Sequence, residues 1–224
     1  MSLRKTSGRG KDAKRGRGSA SHRSIGQRPL VLGALVVGLL VVGIAAYNTV
    51  TGSDRAAVPY DVGKPGPGDA APDFTLAAAD GSTFHLAALR GRSVLLYFHE
   101  GLGCAPCWQQ LDSIEADLSR FSSLGIGEIA AISADPAGAQ AQRAQRTGIT
   151  LPTLADTDRS VSGAYGTLAY GMMNGQLPGH TFILVGPDGT IRWRADYGGA
   201  PNFTMYVADD TLLAELRRVM GVSG

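Results

Sequence analysis

The 224-residue sequence predicts an α/β three-layer sandwich with a mixed central sheet, preceded by one N-terminal transmembrane helix. Three observations lead there. Short apolar runs alternate with helical patterns from residue 71 onward. The alternation closes on a hairpin and then an amphipathic helix. Ahead of all this lies LVLGALVVGLLVVGIAAY, residues 30–47, eighteen residues without a charge.

Residues 1–29 carry nine basic side chains against Asp12 alone, a net +8, whereas the remainder sums to −6. This basic head has no aromatics to stack on bases, so nucleic acid is not an expected partner. It reads as a disordered cytoplasmic tail. As a helix, residues 30–47 would be ~27 Å long, close to the hydrocarbon thickness of a bilayer. The predicted membrane span is 30–50, and the preceding Lys and Arg keep the N-terminus inside, placing the body outside. A cleaved signal peptide is the competing reading. Its best small-x-small site is Gly43-x-Ala45, and no cysteine stands there for lipid attachment. A linker at 51–68 follows from Pro59, Pro65, Pro67 and the glycines among them. The globular domain is expected over 69–222.

Within it, VLLYF (94–98) reads as a buried strand. PCWQQLDSIEADLSRF (106–121) reads as a helix with Trp108, Leu111, Ile114, Leu118 and Phe121 on one face. IGEIAAIS (126–133) is a second strand. Residues 136–147 form a polar helix opened by Pro136, and 158–165 a short one. TFILV and TIRWRA, joined by Gly186-Pro187-Asp188-Gly189, form the hairpin, and TLLAELRRVM (211–220) the closing helix.

FHEGLGCAPCWQQ, residues 98–110, holds the only two cysteines. Cys104 ends the strand-to-helix loop, and Cys107 falls in the first helical turn. Free N–H groups and the helix dipole stabilise a thiolate there. The second sulfur can reach back to break a mixed disulfide formed on the first. A purely structural disulfide would constrain so short a loop by only about 2 kcal/mol. Zinc would need four ligands, and one cysteine pair supplies two. A redox pair is the preferred reading.

The ordered set APDF (71–74), DGSTFHLAALRGRSVLLYF (80–98), CAPC, ISADP (132–136), LPTLADTDRSVSGAYG (151–166) and HTFILVGPDGTIRW (180–193) resembles a known family. It is similar to the alkyl hydroperoxide reductase/thiol-specific antioxidant, or redoxin, branch of the thioredoxin superfamily. That branch includes peroxiredoxins and membrane-anchored thioredoxin-like oxidoreductases. The likeness covers residues 69–220 and implies a thioredoxin-like fold with extra N-terminal strands. A peroxiredoxin site would need Pro-x-x-x-Thr-x-x-Cys. With Cys107 as its cysteine, Glu100 and Cys104 stand at the Pro and Thr positions, and Gly179 and His180 where the family arginine is expected. The resemblance to the oxidoreductases instead implies Cys104 as attacking thiol and Cys107 as resolving thiol.

The same resemblance places a carboxylate near the resolving thiol to take its proton, for which Glu100 is the candidate. It places His180 beside the pair, where an imidazolium would lower the pKa of Cys104, the alternative being a structural histidine bonded to loop backbone. Pro178 is the nearest candidate for the family's cis-proline, and Tyr97 occupies the position of its buried acid. The expected function is a membrane-anchored, extracytoplasmic thiol–disulfide oxidoreductase of the bacterial cytoplasmic membrane. Seventeen arginines against four lysines suit a GC-rich bacterial genome. The reading calls for no cofactor or metal. Its partners would be protein thiols or disulfides, with a transmembrane electron donor if it works as a reductant. Two alternatives are a peroxiredoxin-like thiol peroxidase and a copper(I) chaperone holding the ion on Cys104, Cys107 and His180.

Overall fold

The computed structural model describes residues 60–173, 175–201 and 203–222. The basic tail expected at 1–29, the membrane span expected at 30–50 and the start of the expected linker lie outside the described residues. The domain runs β1 (Thr75–Ala78), β2 (Thr83–His85), β3 (Ser93–Phe98), α1 (Ala105–Ala116), α2 (Leu118–Ser123) and β4 (Ile126–Ser133). It continues with α3 (Ala137–Thr147), β5 (Thr153–Ala155), α4 (Ser160–Ala164), β6 (Thr181–Val185), β7 (Ile191–Asp196) and α5 (Asp209–Met220).

The strands form one mixed sheet in the order β2-β1-β5-β4-β3-β6-β7. β3, β4 and β5 are parallel neighbours, while β1 and β6 run antiparallel to theirs. All six residues of β3 are buried, because both faces of this central strand are covered. Alternation then sorts its side chains. Leu95 and Tyr97 join a core with Trp108, Leu111 and Ile114 of α1, Phe121 of α2, and Leu212, Leu213 and Leu216 of α5. Val94, Leu96 and Phe98 join a second core on the opposite face with Phe74, Phe84, Val161 and Tyr165. This is the three-layer sandwich expected. Burying each such side chain contributes about 1.5–3 kcal/mol.

Two differences from the expectation concern boundaries. The helix expected at 106–121 is two, divided at Asp117, whose φ of −106° and ψ of 11° leave helical geometry. Its apolar face nevertheless faces the core throughout. The linker expected at 51–68 is no linker from Tyr60 onward. Tyr60 is buried and its hydroxyl accepts from Trp193 Nε1 at 3.0 Å. Gly68 N–H donates to the Ile191 carbonyl and Asp196 N–H to the Asp61 carbonyl, both at 2.9 Å. The physical reason is the open edge of β7, whose unpaired backbone groups these residues satisfy.

Candidate redox site

β3 delivers the chain to the C-terminal edge of the sheet, and the loop 99–104 turns it into α1. Cys104 is the N-cap residue of α1, with extended backbone, and its Sγ accepts from the Cys107 N–H at 3.2 Å. Pro106 lies in the first turn, where a missing N–H costs nothing. The two sulfurs form a disulfide, with Cα atoms 5.3 Å apart. Cys104 retains 8% of its surface and Cys107 none.

The loop ahead of the pair is held by side chains. Gly101 N–H donates to His99 Nδ1 at 3.1 Å, and Leu102 N–H to Asp135 Oδ2 at 2.7 Å. Gly101 sits at φ +87°, and a Cβ there would come within 1.9 Å of Asp135 Oδ2. Only glycine fits this turn. Asp135, in the loop just after β4, thus positions the cysteine loop. ISADP carries it in the sequence, yet nothing local announces that contact.

His180 is fully buried and is linked to the cysteine helix through Tyr97. Its Nδ1 is 2.9 Å from the Tyr97 hydroxyl, which donates to the Cys107 carbonyl at a long 3.4 Å. Burial, aided by the nearby His99, lowers the His180 pKa to about 3, and burial alone takes His99 to about 3. The imidazolium expected beside Cys104 is therefore a neutral imidazole, because this pocket desolvates the charged form. Burial likewise raises the Tyr97 phenol well above its ordinary value, with Glu100 adding to it. Tyr97 thus supplies a neutral hydroxyl at the position expected of an acid.

Glu100 is half-buried and accepts from the Met172 N–H. Among the described residues no hydrogen bond joins it to either cysteine. It ties the loop after Tyr170 to the cysteine loop. The Leu177–Pro178 peptide is not among the cis bonds, which are Lys64–Pro65 and Ala200–Pro201. One residue that the sequence reading missed is Met205, which packs against Cys104 and Cys107. It lies far downstream, after β7, with no periodicity or motif to flag it. Among the described residues no three His, Cys, Asp or Glu side chains come together as a metal site.

The sequence pattern of the AhpC/TSA family matches residues 67–194. A protein of Mycobacterium tuberculosis bearing a peroxiredoxin name is 39% identical over 105 residues, covering 47% of this chain and 65% of that one. The thiol-disulfide oxidoreductase ResA of Bacillus subtilis is 30% identical over 125 residues, covering 55% of this chain and 64% of that one. The chain therefore spans less than two thirds of the length of these curated relatives. The crystal structure of peroxidoxin BcpB from Mycobacterium tuberculosis superposes with a TM-score of 0.58 at 23% identity. It covers 70% of this chain and 98% of that one, a likeness of fold.

Proposed function

The chain belongs to the AhpC/TSA family, and from that premise we propose that it is a thiol–disulfide oxidoreductase acting through Cys104 and Cys107. The observation that carries this reading is the disulfide itself, set at the start of α1 with Cys104 the more exposed residue of the pair. In the reduced form the Cys104 thiolate, next to the free N–H groups of the helix, attacks a client disulfide. The client's leaving sulfur takes a proton. Cys107 then loses its proton, attacks Cys104 Sγ in the mixed disulfide, and releases the second client thiol. Two electrons pass to the client, and the pair returns to the oxidised form described above. Run backward, the same steps oxidise a dithiol. Glu100 and His180 support this site by fixing its loops and backing the helix, as their hydrogen bonds suggest.

In the same reading, residues 30–50 anchor the domain outside the cytoplasmic membrane. The uncharged run and the +8 head before it support this.

A second reading, a thiol peroxidase, is favoured by the similarity to peroxiredoxins. Against it, Arg194 is already engaged and is not free to meet the developing charge on a peroxide oxygen. Arg194, fully buried, directs its donors to Asp196 and to the carbonyls of Pro65 and Tyr165.

The test is a trapping experiment with the full chain in cells. Cys107→Ser should accumulate a mixed disulfide on Cys104, recovered in the membrane fraction, and Cys104→Ser should not. Trapping only by Cys104→Ser would reverse the roles. Recovery from the soluble fraction would remove the anchor. Rapid hydrogen peroxide consumption by Cys104→Ser with an external thiol would favour the peroxidase.

A further inference from the structure

Nearly all buried apolar side chains belong to one of the two cores flanking the sheet, but Met205 belongs to neither. It forms a third, small cluster with Cys104 and Cys107 alone. Met205 is 9% exposed, whereas Phe203, two residues earlier, is 58% exposed and held at φ +47°. A large aromatic in that conformation is uncommon, and such strain concentrates where a segment has a task.

The segment is pinned on both sides of Met205. Phe203 N–H donates to the Gly199 carbonyl at 2.9 Å and Thr204 N–H to the Tyr197 carbonyl at 2.7 Å. On the far side, Val207 N–H donates to Gln110 Oε1 at 2.7 Å. Gln110 lies on α1, the helix that carries the cysteines, and its Nε2 donates to Asp209 Oδ1 at 3.1 Å, at the start of α5. The backbone is thus fastened to the redox helix itself, with the Met205 side chain packed against the two cysteines.

We propose that Met205 is a gate over the Cys104–Cys107 disulfide and selects its clients, an inference that rests on the exchange reaction above. A thiolate must reach a sulfur to attack it. Cys107 offers no surface and Cys104 little, so an incoming group has to displace the cover. The unbranched methionine side chain can swing aside by bond rotation while its backbone stays anchored. What replaces it must make good its apolar contact. A cysteine flanked by apolar residues on an extended client segment does so, and a small hydrophilic thiol does not. The gate therefore directs exchange toward cysteines in apolar sequence context.

The experiment follows opening of the disulfide in the detergent-solubilised full chain by stopped flow, with Trp108 as probe. In the reaction with dithiothreitol, one thiolate attacks Cys104 Sγ and the S–S bond breaks. Cys107 leaves as a thiolate and is protonated. The second dithiothreitol thiol then closes the cyclic disulfide and frees Cys104, so two electrons enter the protein. Met205→Ala should accelerate this about tenfold. The same change should erase the preference for a dipeptide-flanked dithiol with leucine neighbours over one with serine neighbours. Met205→Ile keeps the bulk but stiffens the side chain, and should slow the reaction. An unchanged or faster isoleucine variant would overturn the gate even if the alanine variant failed to fold. An alanine variant opened no faster than wild type would do the same. Reduction of neither protein by any dithiol would overturn the exchange reading together with the gate.

Discussion

His180 is linked through the Tyr97 hydroxyl to the backbone of the cysteine helix, yet burial holds it neutral by lowering its pKa to about 3. A neutral imidazole cannot stabilise a thiolate by charge. His180→Ala should therefore move the thiol pKa of Cys104 by less than about half a unit, far short of an ion pair's effect. A thiolate-absorbance titration of the single-cysteine protein would measure it. A rise of a full unit would restore the cation. The two cysteines were legible in the sequence because their spacing and the apolar strand before them are local features. The charge state of His180 was not, since it is set by desolvation among Tyr97, Phe182 and Tyr197, residues that meet only in the folded sheet. Asp135 and Met205 escaped notice for the same reason. Each acts through a contact closed across the fold.

Elements with strong periodicity were readable, and those defined by pairing alone were not. β4 falls on the expected residues because its apolar run is long. β5, three residues, exists because β4 and β1 flank it, and residues 60–70 are ordered because β7 needs an edge. A composition rich in proline and glycine could not reveal that. What fastens this edge is Arg194 and Asp196, both fully buried and 2.7 Å apart. Asp196 also accepts from Gly63 N–H at 2.7 Å and from Thr181 Oγ1 at 2.8 Å. Removing the carboxylate leaves a buried guanidinium without its counter-charge. Asp196→Ala and Arg194→Met should each cost about 3–5 kcal/mol, because each strands the other charge in the interior, whereas replacing both with apolar residues should cost distinctly less. Urea unfolding of the isolated domain beginning at residue 57 would compare them. Small losses from the single changes would mean that the pair does not hold the edge.

At the scale of the whole molecule, the pocket beneath the cysteines makes folding sensitive to pH. His99 and His180 both have folded pKa values lowered from 6.5 to about 3 by burial. In the unfolded chain they take up protons near 6.5, but in the folded domain they remain neutral until about pH 3. Between these limits the unfolded state binds more protons, so stability falls as pH falls. Stability is full above about pH 7. Between pH 7 and 5 each histidine should remove about 2 kcal/mol, a loss that continues as pH nears 3. Carboxylates in the unfolded chain titrate mostly below pH 5, so the upper window isolates the histidines. The phenols of Tyr97 and Tyr197, raised by burial, stay neutral throughout. Urea midpoints at pH 7 and pH 5 should therefore differ strongly in the wild type. Replacing both histidines with glutamine should nearly abolish the difference, whatever it does to stability at pH 7. A wild-type midpoint flat across that window would mean that the two rings are hydrated in solution and that the pocket beneath the disulfide is open to water.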